Sequence, residues 1–195
     1  MSLLVLIGPP GALVAEVAGE LSHRLSIPYA DSEQAIATLT GRSAEQISVQ
    51  GSEEQLRGIE RDVALAFLND LSADDARILA LGSGSLGNTR ADAEFAPVRT
   101  RLADLREQGA FVVHLSGDLA TLVRRTGLDG PRIAAVSSPR RIFFTQMSTR
   151  GPLYEEMSSF TVDTSGLDVG EVTDAVLAAW RDHGGPGSGE ERTEI

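Results

Sequence analysis

The stretch LIGPPGALVAEVAGEL, residues 6–21, decides the fold. An apolar run from Leu3 to Ile7 leads into a glycine- and proline-rich turn, Gly8 to Gly11, which opens onto a helix-period pattern. This has the outline of a phosphate-binding loop without the residues such a loop uses. A working loop reads G-x-x-x-x-G-K-[ST]: backbone N–H groups cradle the phosphates, the lysine pairs with β and γ oxygens, and the hydroxyl ligates Mg2+. Counted from Gly8, the second glycine falls on Leu13, the lysine on Val14 and the hydroxyl on Ala15. Glu16 follows; it suits a helix N-terminus through the dipole but repels a triphosphate docked there. Taken alone, the segment reads as an ordinary strand–turn–helix.

Outward from this stretch, short apolar runs alternate with helical patterns: LLVLI at 3–7, IPYA at 27–30, ILALG at 78–82, FVVHL at 111–115 and FTVD at 160–163. Strands alternating with helices imply βαβ units and a parallel sheet covered on both faces. Leu13, Val17, Leu21 and Leu25 recur at four-residue spacing, as do Ile59, Val63 and Phe67, and these are expected to be core-facing helix stripes. Val169 to Trp180 predicts a closing helix. Residues 183–195 carry too little apolar content to order themselves and are expected to be a disordered tail, which leaves 1–182 as one domain. GLDGPRIAAVSSP, residues 127–139, suits a mobile loop.

Composition narrows the function. The chain has 195 residues, a net charge of −11 and no cysteine. The acidity argues against nucleic acid or an anionic membrane as partner, since both call for clustered Lys and Arg. Disulfides and thiolate metal sites are excluded outright. No apolar run approaches the roughly 20 residues that span a bilayer, and a cytoplasmic protein is expected. His23, His114 and His183 lack metal-ligand spacing, and His114, in an apolar strand, reads as a satisfied core histidine. Phe143, Phe144 and Trp180 read as core. Gly82, Gly84 and Gly87 also spell G-x-G-x-x-G, but Asp104 and Glu107, about 20 residues on, sit in a helical pattern rather than at a strand end, which disfavours a dinucleotide site.

The ordered set IPYADSEQAI, TGRSAEQI, EEQLRGIERDV, ILALGSGS, LVRRTG, RGPLYEEM and VDT resembles shikimate kinase, from about Leu3 to about Trp180. The resemblance implies a three-layer α/β P-loop kinase-like fold with a central five-stranded parallel sheet. In that family a D-[ST]-D motif holds hydrated Mg2+ through its first Asp and the shikimate hydroxyl through its second, the proposed base. The matching residues are Asp31, Ser32 and Glu33, with Glu33 one methylene longer. A plainer reading of Asp31 and Ser32 is helix capping ahead of EQAIATL. The family's F-R-x-x-E appears as Leu56, Arg57 and Glu60, placing Arg57 on the shikimate carboxylate. An exposed helix arginine paired with Glu53, Glu54 or Glu60 fits that spacing as well. Gly82, Ser83 and Gly84 match the glycine triplet of the shikimate pocket, and Arg150, ahead of Gly151, Pro152, Leu153 and Tyr154, matches its second arginine. Arg125 corresponds to an arginine near adenine. Arg132 corresponds to the lid arginine that reaches the transferred phosphate, although the family's following proline is Ile133 here.

The acceptor-side residues are largely kept while the nucleotide side is dismantled, with Gly8, Gly11, Ala12 and Arg125 its remaining candidates. Three readings follow. The first is a degenerate homologue that holds shikimate, or a similar hydroxylated carboxylate, through Glu33, Arg57 and Arg150 and transfers phosphate poorly or not at all. The second is an active kinase, using ATP and Mg2+ with a replacement cation; all 17 basic residues are arginines, which makes Arg132 the candidate. The third is a non-catalytic protein partner.

Overall fold

The computed structural model describes residues 3–43, 46–47, 53–127 and 139–186. Five strands form one sheet: β1 (Leu3–Ile7), β2 (Tyr29–Asp31), β3 (Arg77–Ala80), β4 (Phe111–Ser116) and β5 (Phe160–Asp163). Their spatial order is β2-β3-β1-β4-β5, with every neighbouring pair parallel. Between and after the strands run α1 (Val14–Leu25), α2 (Ser32–Thr40), α3 (Glu53–Asn69), α4 (Ala96–Glu107), α5 (Leu119–Arg125), α6 (Pro139–Met157) and α7 (Val169–Asp182). A single 3-10 turn, Ala93–Phe95, precedes α4.

The three layers follow from the period-2 alternation of β1, whose five residues are all buried because helices cover both faces. Leu4 and Leu6 face a core shared with Val17 and Leu21 of α1 and with Val176 and Trp180 of α7. Leu3, Val5 and Ile7 face the opposite core, built from Leu68 of α3, Val98 and Leu102 of α4, and Leu153 and Tyr154 of α6. A one-residue slip of β1 would exchange the two sets, so both cores fix its register.

The expected strands are all present, with the second displaced to Tyr29–Asp31; Ile27 packs against the first core instead of pairing. Phe143 is buried, but its neighbour Phe144 is 55% exposed: adjacent residues on a helix cannot share one face. The first residues assigned to the tail are placed against the domain. His183 caps α7 and stacks on Phe111 with ring centroids 4.4 Å apart, and Gly185 lies against Trp180. The remainder of the expected tail, from 187 on, and most of the expected loop, 128–138, lie outside the described residues. No helix among the described residues is long and apolar enough to cross a membrane.

The chain runs from central β1 to β2 and β3 on one side and later to β4 and β5 on the other. This reversal places a crevice beyond the carboxyl end of β1, where open α/β sheets bind ligands. The turn quoted at the outset lies there.

Candidate functional site

The loop keeps its backbone shape without its signature residues. Gly8 is required because a Cβ there would collide with the Leu115 carbonyl oxygen of β4. Gly11 has φ +81°, and a Cβ would meet the Leu122 carbonyl oxygen at 2.8 Å. Leu13, at the position of the missing second glycine, also adopts the left-handed region, with φ 67° and ψ 27°. That conformation costs a non-glycine residue roughly 1–2 kcal/mol. Packing of the Leu13 side chain against the first core offsets it. Leu13 precedes α1 without a side-chain cap, and Glu16 in the first turn supplies the negative charge that complements the dipole.

A pocket of about 210 Å³ opens between this loop and the ends of β2 and β3. It brings together Gly8, Gly11, Asp31, Glu33, Gly82 and Ser83 with Val14, Ala15 and Glu16. Among the described residues, three carboxylates line it and no lysine or arginine does. Asp31 serves as N-cap of α2, accepting from Glu33 N at 2.8 Å and Gln34 N at 3.4 Å, while the Ser32 hydroxyl accepts from Gly82 N at 2.7 Å. Glu33 is exposed in total area, yet its carboxylate lies in the crevice, where a Cβ at residue 82 would stand 3.0 Å from Oε1. Desolvation of that carboxyl pushes its pKa above the ordinary glutamate value; Asp31 and Glu16 add to the rise and the Ser83 N–H opposes it. A carboxyl raised in this way is suited to accept a proton from a bound hydroxyl.

Beyond Ser83 the acceptor side is a connected network. Buried Arg150 donates from Nε to Asn88 Oδ1 at 2.8 Å and from Nη1 to the Ser83 hydroxyl at 3.4 Å. The Tyr154 hydroxyl donates to the Ser83 carbonyl at 2.7 Å. Arg150 makes no ion pair among the described residues, so its charge is held by neutral groups. Gly84 leaves the space that the Glu60 carboxylate fills.

Arg57 stands elsewhere than the helix-neighbour reading places it. Its Nη2 meets Asp92 at 2.7 Å and Glu94 at 3.0 Å, and its guanidinium lies 4.9 Å from the centroid of the Phe95 ring. Burial would raise the Asp92 carboxyl, but the Arg57 guanidinium, the Asn88 N–H and the Thr89 hydroxyl together hold it down to about 2.

Two nucleotide-side candidates do not line the pocket. Ala12 is fully buried in the first core. Arg125 is turned onto the backbone: Nη1 reaches Gly11 O at 3.2 Å and Thr164 Oγ1 at 2.9 Å, and Nη2 reaches Thr164 O at 2.8 Å and Leu167 O at 2.7 Å. It ties the glycine turn to the segment after β5. Arg125→Met is therefore expected to lower stability by about 2 kcal/mol, through the loss of charge-assisted bonds to buried carbonyls. The denaturant midpoint reads this directly, and an unchanged midpoint would assign the arginine to a ligand instead. Arg132 lies outside the described residues.

Among the described residues, the lining of this pocket offers no cation to ATP phosphates and, at positions 14 and 15, no hydroxyl to their metal. The pocket wall is acidic where the phosphates' negative charge would sit, Val14 and Ala15 supply neither cation nor hydroxyl, and Asp31 Oδ1 is occupied by capping α2. No cluster of three potential metal ligands occurs among the described residues.

Sequence reasoning passed over Asn88 and Asp92, which sit on an irregular segment without periodicity; their signal is a short polar run, NTRAD, directly after the glycine-rich stretch. The reading of His114 as satisfied is corrected. The ring is buried, with its centroid 5.2 Å from that of Tyr154, and Nδ1 has no hydrogen-bond partner. Burial lowers its pKa to about 4.

Comparison with known proteins agrees with this geometry. The shikimate kinase family model matches residues 12–181. Shikimate kinase of Streptomyces coelicolor is 34% identical over 177 residues, 91% of this chain and 94% of that protein. That of Frankia casuarinae is also 34% identical, over 91% of this chain and 72% of its own. Among solved structures, shikimate kinase from Acinetobacter baumannii in complex with shikimate superposes with a TM-score of 0.72 at 25% identity, covering 92% of each chain. Shikimate kinase from Aquifex aeolicus shares the fold at a TM-score of 0.62 and 20% identity, over 93% of this chain and 97% of that one. A five-stranded parallel sheet of this order, a glycine turn beyond its central strand and a family match across most of the length lead to one conclusion: the chain belongs to the shikimate kinase family.

Proposed function

We propose that this protein is a shikimate kinase homologue that binds shikimate, or a similar hydroxylated carboxylate, and transfers phosphate poorly or not at all. The observation that carries the reading is the contrast across one crevice. Gly82, Ser83 and Glu33 line the crevice, with buried Arg150 behind them donating to the Ser83 hydroxyl, while the positions of the phosphate-loop signature present Val14, Ala15 and Glu16 to the same crevice. Phosphoryl transfer depends almost wholly on positioning and charge stabilisation of the γ-phosphate, and that wall provides neither. Arg150 provides a buried cation for a ligand carboxylate and Glu33 an acceptor for a ligand hydroxyl. ATP and Mg2+ enter only in the reading of an active kinase with a substitute cation, and the engagement of Arg125 with backbone carbonyls weakens that reading. Nothing in the geometry selects a protein partner.

The test is calorimetric titration with shikimate, run beside an assay of shikimate-dependent ADP release at high enzyme concentration. Binding is expected in the unaltered protein and is expected to weaken at least about tenfold in Arg150→Met, from loss of a charge-assisted contact. Turnover of the unaltered protein within the ordinary enzyme range of roughly 1–10³ s⁻¹ would overturn the reading.

A further inference from the structure

Arg57 and Arg150 are joined through a single loop. Asp92 Oδ2 accepts from Arg57 Nη2 at 2.7 Å and from the Asn88 backbone N–H at 2.8 Å. Asn88 Oδ1 in turn accepts from Arg150 Nε at 2.8 Å. Thr89 donates its hydroxyl to Asp92 Oδ1 at 3.0 Å, which holds the loop in the geometry that aims this carboxylate at Arg57. Arg99 ties the same loop down by donating to the carbonyls of Leu86, Arg90 and Asp92.

The atom engaged on Arg57 matters more than the number of contacts. A guanidinium grips a carboxylate with two parallel N–H bonds along one edge of its fork. It has two such edges, Nε with Nη2 and Nη1 with Nη2, and both run through Nη2. Nη2 carries two hydrogens, and two carboxylates of the chain, Asp92 and Glu94, already meet that nitrogen. The Phe95 ring covers one face of the same group. An incoming carboxylate therefore cannot make a fork-on-fork contact with Arg57 until one internal carboxylate leaves.

We propose that Asp92 is a specificity-determining residue of the acceptor pocket: it fills from within the chain the carboxylate position on Arg57, so that a ligand's anion is held by Arg150 alone. The inference rests on the reading of the pocket as a shikimate-type acceptor site and deepens it. Its consequence is selectivity. With one arginine committed internally, the pocket distinguishes a carboxylate from its neutral ester less sharply than a two-arginine site does. Such a pocket admits hydroxylated ligands whose acid is masked or absent.

The test compares shikimate with its methyl ester by calorimetric titration of the unaltered protein, Asp92→Asn, Glu94→Gln and the Asp92→Asn/Arg57→Met double variant. Asp92→Asn is expected to tighten shikimate about tenfold, as a charge-assisted pair becomes available, and to leave the ester nearly unchanged. The gain should vanish in the double variant. Glu94→Gln removes a carboxylate that is half exposed and caps no loop N–H, and it should give a gain in the same direction; it carries the test if Asp92→Asn does not fold. Equal gains for acid and ester, or a folded variant with no gain, would overturn the proposal.

A second readout separates this proposal from the underlying reading. Phenylglyoxal modification of arginines, mapped by mass spectrometry, should find Arg57 protected in the unaltered protein and modified several-fold faster in Asp92→Asn or Glu94→Gln. If shikimate binds none of the proteins while Arg57 shows this change, the acceptor reading fails and the internal occupation of Arg57 stands. If Arg57 reacts equally in all of them, Asp92 does not occupy it and the proposal fails, whatever shikimate does.

Discussion

Replacing Leu13, Val14, Ala15 and Glu16 together by Gly, Lys, Ser and Thr is expected to strengthen ATP binding by at least about 100-fold in affinity. Each restored charge-assisted bond contributes about 1.5–3 kcal/mol, and removal of the Glu16 carboxylate relieves repulsion at a helix N-terminus. Residue 13 already has φ 67° and Gly11 φ +81°, both in the left-handed region that favours glycine. Glycine at 13 adopts that conformation without strain, which offsets the packing lost with the leucine side chain. Titration with ATP and Mg2+ measures the gain, and shikimate-dependent ADP release then reports whether the acceptor side can use the bound nucleotide. If the four substitutions bring no ATP binding, the turn is not in a phosphate-cradling geometry. If the unaltered protein already binds as tightly as the variant, another cation replaces the lysine and the chain is an active kinase by a different route.

His114→Phe is expected to flatten the acid limb of the stability curve. In the folded protein the His114 ring has a pKa of about 4, against an ordinary 6.5, because burial disfavours the imidazolium. As pH falls below 6.5 the unfolded chain takes up the proton first, so stability is lost between 6.5 and 4 and no further below that. The interval corresponds to a loss of about 3 kcal/mol when complete. Phenylalanine has similar bulk, keeps the contact with the Tyr154 ring and removes the unpartnered Nδ1. Urea midpoints at pH 7 and pH 4.5 should therefore differ less in the variant than in the unaltered protein. Glu33 acts in the opposite sense: its raised pKa means that acidification favours the folded form, and the variant should expose that contribution. Equal pH dependence in the two proteins would mean that His114 finds a proton-accepting partner in solution. Asp92 and Asp118, both held down to about 2, lose their contribution only below the ordinary aspartate value, outside this interval.

Both expectations rest on features that differ in how far a linear reading could reach them. Apolar runs at 3–7 and 111–115 became strands because each is short, continuous and bounded by turn residues, and a strand buried on both faces has to read that way, whereas 160–163 is the largely exposed edge strand. The capping role of Asp31 and the burial of Val17 and Leu21 were legible for the same reason: they depend on neighbours within one or two helical turns. The missing loop residues could be counted directly from Gly8.

Contacts between distant segments were not legible. Arg57 pairs with Asp92 and Glu94, 35 and 37 residues away. Arg125 faces the carbonyl of Gly11, 114 residues earlier, although its place in LVRRTG suggested a nucleotide. The buried His114 lacks a partner at Nδ1 because of what packs over β4, which no strand pattern announces. Propensity and periodicity act locally, so the sequence by itself determined the strands, the helices and which residues stand at positions 13–15 after the glycine turn. Which charge meets which is set by the strand order β2-β3-β1-β4-β5 and the helices packed over it, so tertiary structure alone decided that one arginine of the acceptor side is engaged by carboxylates of its own chain and the other is held by neutral groups.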